Sequence, residues 1–173
     1  HGSSRGYCWP FCRHPPTCMM QILTLFFIGA TFGTLFDGFH THSGTTGYFY
    51  PSILKAAWYV PIIFGVAAVC IGLSHVQSDK VLHRKSPSLA WISIVLGIAL
   101  LGAGFALSGF LPWSNFNKTF LLMGLYWIAW ILWDQTWQGI LCALLTGIIG
   151  PAVEHLLIFH FHVHFFSKPD LFG

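Results

Sequence analysis

This sequence predicts an all-α, polytopic transmembrane bundle of five spans, and three observations predict it. Five stretches of roughly 17 to 22 residues are almost free of charge, the length needed to cross a hydrocarbon core of about 30 Å. Hydrophobic residues make up 55% of the 173 residues and charged residues 8%, with a mean hydropathy of +0.67; this balance excludes a soluble domain and a nucleic-acid-binding one. The apolar runs are continuous and lack the alternation of barrel strands, so each reads as a helix.

The spans fall at residues 19–36, 56–74, 89–110, 116–133 and 138–159, with about 4 residues of slack at each boundary. Residues 1–18 differ in composition, with Gly, Ser, Pro, Arg and the thiols Cys8, Cys12 and Cys18. They are expected to be a disordered or artefactual segment before a transmembrane domain spanning 19–173, with Met19 or Met20 as an alternative start. The first apolar run lacks a small-residue cleavage site before Asp37, so it is expected to be a retained span and not a secretory signal. Acylation or zinc binding is conceivable for the three N-terminal thiols, whose spacing matches no C-x-x-C pair, and unmodified thiols are the default. Cys70 and Cys142 lie inside spans, where a thiol behaves as a small hydrophobe.

Loop charge sets the orientation, because Lys and Arg accumulate on the cytoplasmic side of short loops. Arg5, Arg13, Lys80, Arg84 and Lys85 share one side; Lys55, Lys118 and Lys168 fall on the other. The N-terminus is therefore expected to be cytosolic. The sequon at Asn117 abuts a span and carries no weight.

Small residues and prolines mark where helices meet. Gly29 and Gly33 form a G-x-x-x-G face. Gly139, Ala143 and Gly147 recur every four residues in the last span, and Gly97, Gly102, Gly104 and Gly109 thin one side of the third. Such spacing lets backbones approach closely, either within the bundle or against a partner. Pro61 and Pro151 are each expected to interrupt a helix and free the carbonyl four residues earlier, at Ala57 and Gly147. Carbonyls freed in a bilayer need protein, water or a polar head group beside them.

Several segments, in order, resemble the Insig (insulin-induced gene) family. Leu25-Phe26-Phe27-Ile28-Gly29, then Ala56-Ala57-Trp58-Tyr59-Val60-Pro61 leading to Ala68-Val69-Cys70-Ile71-Gly72-Leu73, looks like that family's first two spans. Trp130-Ile131-Leu132-Trp133-Asp134-Gln135-Thr136-Trp137-Gln138-Gly139 is similar to its junction between spans four and five. Pro169-Asp170-Leu171-Phe172 resembles the Pro-Asp element before its sixth span. The resemblance implies six spans, an endoplasmic-reticulum membrane location and cytosolic termini. It also implies oxysterol binding within the bundle, retention of the Scap and SREBP complex, and recruitment of HMG-CoA reductase. The sequence departs in ending at Gly173, where the sixth span is expected to be lacking, in missing both arginines of the junction, and in a Gly-, Thr- and His-rich first loop from Asp37 to Pro51 that matches nothing in the family.

On this reading the chain is a lipid-sensing adaptor in sterol or lipid metabolism, with no catalytic residue, metal or cofactor. A sterol or glycerolipid is expected against Trp58, Pro61, Pro151 and Glu154. Trp58 supplies a flat apolar wall with an indole donor. Glu154, the one charge well inside a predicted span, costs about 2.5 to 3.5 kcal/mol at mid-helix and so should face inward. The resemblance assigns Asp134 and Gly139 to binding a polytopic membrane partner or a second copy; the bland reading of Asp134 is a cap for the fifth helix, where its charge meets the helix dipole. A competing reading is a lipid-modifying metalloenzyme built from Asp37, His40 and His42 with Glu154, His155, His160, His162 and His164, although their spacing matches neither H-E-x-x-H nor the desaturase boxes. A structural subunit without its own ligand is the third.

Overall fold

The computed structural model describes residues 15–82 and 90–167. Residues 1–14, the basic residues Arg84 and Lys85 and the 169–172 element lie outside the described residues. Helix α1 (Pro15–Ile28) continues through a π-helical turn (Gly29–Gly33) into α2 (Thr34–Ser43). Strands β1 (Thr46–Tyr48), β2 (Pro51–Ile53) and β3 (Ala56–Ala57) follow, then α3 (Val60–Val81) and α4 (Trp91–Phe110). Helix α5 (Asn115–Ala129) ends in a second π-helical turn (Trp130–Asp134); α6 (Trp137–Phe159) and β4 (His164–Phe166) complete the chain.

Four helices are long and apolar enough to cross a membrane, Met19–Ser43, Val60–Val81, Trp91–Phe110 and Trp137–Phe159. Helix α5 with its π turn is the shorter fifth. The predicted five-helix bundle is thus observed, with three corrections. The first helix runs to Ser43 and not to residue 36, which moves Asp37, His40 and His42 out of a loop and into a span. The π turn absorbs this extension: Thr34 donates its hydroxyl to the Ala30 carbonyl at 2.6 Å, supporting the widened turn, and Gly44 closes the helix in the left-handed region at φ 73°. Helix α1 also begins at Pro15, inside the segment expected to have no fold.

The second correction concerns Pro61. Helix α3 starts at Val60, so Pro61 occupies its first turn, where a missing N–H has no partner to lose and no earlier carbonyl is displaced. No kink or freed carbonyl follows. Pro151 does sit inside α6 as expected.

The third is a pair of short ribbons on one face of the bundle. Strand β1 pairs antiparallel with β4 (Thr46 opposite Phe166, Tyr48 opposite His164), and β2 pairs with β3. The first loop and the tail are thereby stitched together by backbone hydrogen bonds.

Packing follows the small residues only in part. A Cβ on Gly29 would strike the Phe64 backbone and Ala68, and one on Gly33 would strike the Phe64 ring, so this G-x-x-x-G face is what lets α3 cross the π turn. Gly102 and Gly109 likewise lie against Phe36 and Ser43. Gly97 and Gly147 face open space, so no described residue uses those positions for close packing. Around this crossing α2 packs on α4, α4 on α5, and α6 on α3. Only Ala56, Ala57 and Val60 form a dry hydrophobic core among the described residues, at the ribbon end with Tyr48, Tyr59 and Phe64 around it. Outward side chains such as Ile92, Leu144 and Ile148 are more than 60% exposed, an arrangement that requires lipid as solvent.

Candidate functional site

A cavity of about 570 Å³ lies between α3 and α6, with Asp37 and His40 of α2 and Phe105 of α4 behind it and β1 and β4 across one end. That volume is within the usual range for a small-molecule site, about 300 to 1,000 Å³. Its α3 wall runs from Tyr59 to Ser74, about 22 Å at the helical rise per residue. The middle is apolar: Ile63, Phe64 and Ala67 face Leu145, Ile149 and Val153. Polar groups gather at the ribbon end, where Asp37, Thr46, Tyr48, Tyr59, Glu154 and His164 all line the space. The far end is lined by Cys70, Ser74, Cys142 and Thr146.

The polar end is assembled from four elements distant in sequence. Asp37 is 6% exposed, and Tyr48 donates its hydroxyl to Asp37 Oδ2 at 3.0 Å, so a carboxyl inside a span has a strong donor. Tyr59, capping α3, donates to the Val163 carbonyl at 2.6 Å and pins the tail that leads into β4. The Tyr48 ring packs on His164 with centroids 5.6 Å apart. Burial pushes the Tyr48 phenol well above its ordinary pKa, and the nearby charge of Asp37 and its hydrogen bond add to this; burial also raises Tyr59. Burial lowers His164, favouring the neutral imidazole. His40 meets Ser108 at 2.6 Å; because the Ser108 hydroxyl donates to the Phe105 carbonyl at 2.9 Å, the Nε2–H of His40 is the donor.

The α5–α6 turn is built differently. Gln135 takes the left-handed region at φ 52°, Thr136 caps α6 by accepting from the Gly139 N–H at 3.1 Å, and the Thr136 hydroxyl donates to Asp134 Oδ1 at 2.5 Å. The Asp134 carboxyl lies so close over Gly139 that no Cβ fits there. Beside it the fully buried Gln138 donates to Asp79 Oδ1 at 3.2 Å, tying the start of α6 to the end of α3.

No family model and no curated protein sequence matches the chain. A search of solved structures does find a match, to MvINS, a mycobacterial Insig homolog from Mycobacterium vanbaalenii, at 23% identity and a TM-score of 0.76, covering 90% of this chain and 82% of that one. A cross-linked trimer of a substituted MvINS matches at 22% identity, with the same TM-score and coverage. The fold is that of an Insig homolog. The Insig-like bundle was expected from the collinear motifs, and the chain's four long apolar helices make it a multi-pass membrane protein.

Within this Insig-like bundle the sequence-predicted residues do not form one site. Glu154 lines the cavity. Its neighbours Gly150 and Val153 do too, but Pro151 projects elsewhere, and neither Pro61 nor Trp58 is in the lining. Trp58 is 67% exposed at the ribbon end, against the edge of Tyr59, where an indole suits the membrane–water boundary. Asp134 and Gly139 come together, the carboxyl lying over the glycine and bonding the capping Thr136. Of the histidine and acid cluster, Asp37, His40, Glu154 and His164 converge on the cavity, whereas His42, His155, His160 and His162 do not. Among the described residues no three His, Cys, Asp or Glu side chains are placed to hold a metal ion. Tyr48 and Thr46 were missed, because they reach the site through the pairing of β1 with β4, which leaves no local pattern in the sequence.

Proposed function

We propose that the chain is an Insig-like lipid-binding adaptor: a lipid lies in the α3–α6 cavity, head group at the ribbon end, and its presence sets how a membrane partner docks. The observation that carries this is the cavity itself, about 22 Å long, apolar along its walls and polar at one end. Helix α6 packs on little besides α3 and β4, so material between α3 and α6 bears directly on where α6 sits. A conformational effect of this kind requires the lipid to bind one arrangement of α6 better than another.

A sterol or a glycerolipid fits these dimensions. The partner is a polytopic membrane protein or a second copy; the cross-linked trimer of MvINS makes self-association the first to test. A cytosolic N-terminus agrees with the loop charges; it belongs to the same proposal, as do an endoplasmic-reticulum membrane location and a non-enzymatic role.

Extraction and mass spectrometry of lipid from purified protein tests the reading. Wild type is expected to carry about one lipid per chain. Ala67→Phe, which fills the middle of the cavity, is expected to lose it while remaining monodisperse. Equal lipid in both proteins would show that the bound material lies on the outer faces.

A further inference from the structure

The polar end of the cavity has more acceptors than donors. Two carboxyls, Asp37 and Glu154, line it, and no Lys or Arg does so among the described residues. Tyr48, which bonds Asp37, lines the same end of the space. Asp37 has one donor, Tyr48. Glu154 is hydrogen-bonded to no described residue. His164 is only 8% exposed, opens onto the cavity and touches Tyr48 and Phe166 through its ring faces, and its nitrogens make no hydrogen bond with any described residue. Ring nitrogens that open onto the cavity from a side chain this deeply packed are placed to meet a group supplied from outside the chain.

We propose that the cavity takes an amphiphile with a protonated primary amine head, held by the Glu154 and Asp37 carboxyls with His164 as a neutral acceptor. An ammonium brings three N–H donors and no acceptor, the complement of this set, and its charge offsets that of the carboxylates lining this end of the cavity. A hydroxyl head brings one donor and offsets no charge. A carboxylate or phosphate head adds a third negative group beside two. The single aliphatic tail then runs along Ile63, Ala67, Leu145 and Ile149 toward Cys70 and Cys142.

This rests on the lipid-binding reading above, and the test separates the two. Octadecylamine, octadecanol and octadecanoate share one chain and differ only in the head. Each radiolabelled probe is equilibrated with the full chain in zwitterionic nanodiscs, with binding to empty discs subtracted. The amine is expected to bind at least about tenfold tighter than the alcohol, the value of one charge-assisted hydrogen bond, and octadecanoate is expected to be weakest. Glu154→Gln is expected to remove the amine's advantage and leave the alcohol unchanged. Glu154→Lys, on the open cavity wall, is expected to reverse the order in favour of octadecanoate. If alcohol and amine bind equally in wild type, or if Glu154→Gln leaves the amine's advantage intact, the charge selectivity is wrong while lipid binding stands. If no probe binds above empty discs, both fail.

Discussion

Two acidic regions of this molecule look alike in sequence and differ in construction. At the α5–α6 turn, Asp134, Thr136 and Gly139 satisfy one another within six residues: hydroxyl to carboxyl, N–H to hydroxyl, and a glycine that clears the carboxyl. At the ribbon end of the cavity, Asp37 bonds Tyr48 across a loop, Tyr59 bonds Val163 across most of the chain, and Glu154 and His164 are left open to the cavity. A local, closed set of bonds sets the angle between two helices. A long-range set with unfilled groups ends in a space that something else can enter.

The largest effect expected from breaking this contrast is at Gly139. Gly139→Ala drives a methyl into the Asp134 carboxyl at a tightly packed turn, and overpacking of this kind costs about 1 to 3 kcal/mol. Thermal melting in detergent should fall, whereas Asp134→Ala,Gly139→Ala together should recover part of the loss. Recovery would show that the collision, and not the loss of a partner's docking residue, is the cause. Next comes Tyr48→Phe, which leaves Asp37 without its donor and should cost about 1 to 3 kcal/mol. Its melting should drop more than that of Thr136→Ala, for which a lost cap costs about 1 kcal/mol. The opposite order would mean that the cavity end is the looser of the two.

Acidification sharpens the same comparison. His164 is held below its ordinary value of 6.5 by burial, so the unfolded chain binds the proton more readily than the folded one. Stability is full above about 6.5 and declines as the pH falls through that value toward the depressed one. Melting between pH 7.5 and 5 should show the decline in wild type, and His164→Phe should flatten it. An identical slope in the variant would assign the pH dependence to other groups. The smallest effect is at Trp58, an exposed residue outside the cavity. Trp58→Ala should change melting by less than about 0.5 kcal/mol and leave retained lipid unchanged.

How much of this was legible in the sequence divides along the same line. Five apolar runs and the G-x-x-x-G face at Gly29 and Gly33 were readable because span length and small-residue spacing are local. The α5–α6 turn was readable in part: Asp134 was weighed as the cap of the last helix, and the structure gives that role to Thr136, two residues on, which Asp134 supports by accepting its hydroxyl. Pro61 was misread, because a proline in the first turn and one in mid-helix differ only in where the helix starts, which β3 decides. At the site end Asp37, His40, Glu154 and His164 were grouped from sequence as a candidate metal cluster, but how they are brought together was out of reach for a different reason. Asp37 enters a span only through the π turn, and Tyr48 and His164 meet only when β1 pairs with β4. Neither leaves a periodic trace. Glu154 was found because a charge within an apolar run signals by itself.

The central claim is that a lipid lies in the cavity with its head at the ribbon end. Photo-crosslinking measures this most directly, using an alkyl-chain lipid in two forms, one with a diazirine beside the head and one with it at the chain terminus. Peptides are then mapped after proteolysis. The account predicts that the head probe labels the regions of Asp37, Tyr48, Glu154 and His164, and that the terminal probe labels those of Cys70, Cys142 and Thr146. The same label pattern from both probes, or labels confined to outward residues such as Trp58, Leu144 and Ile148, would contradict it.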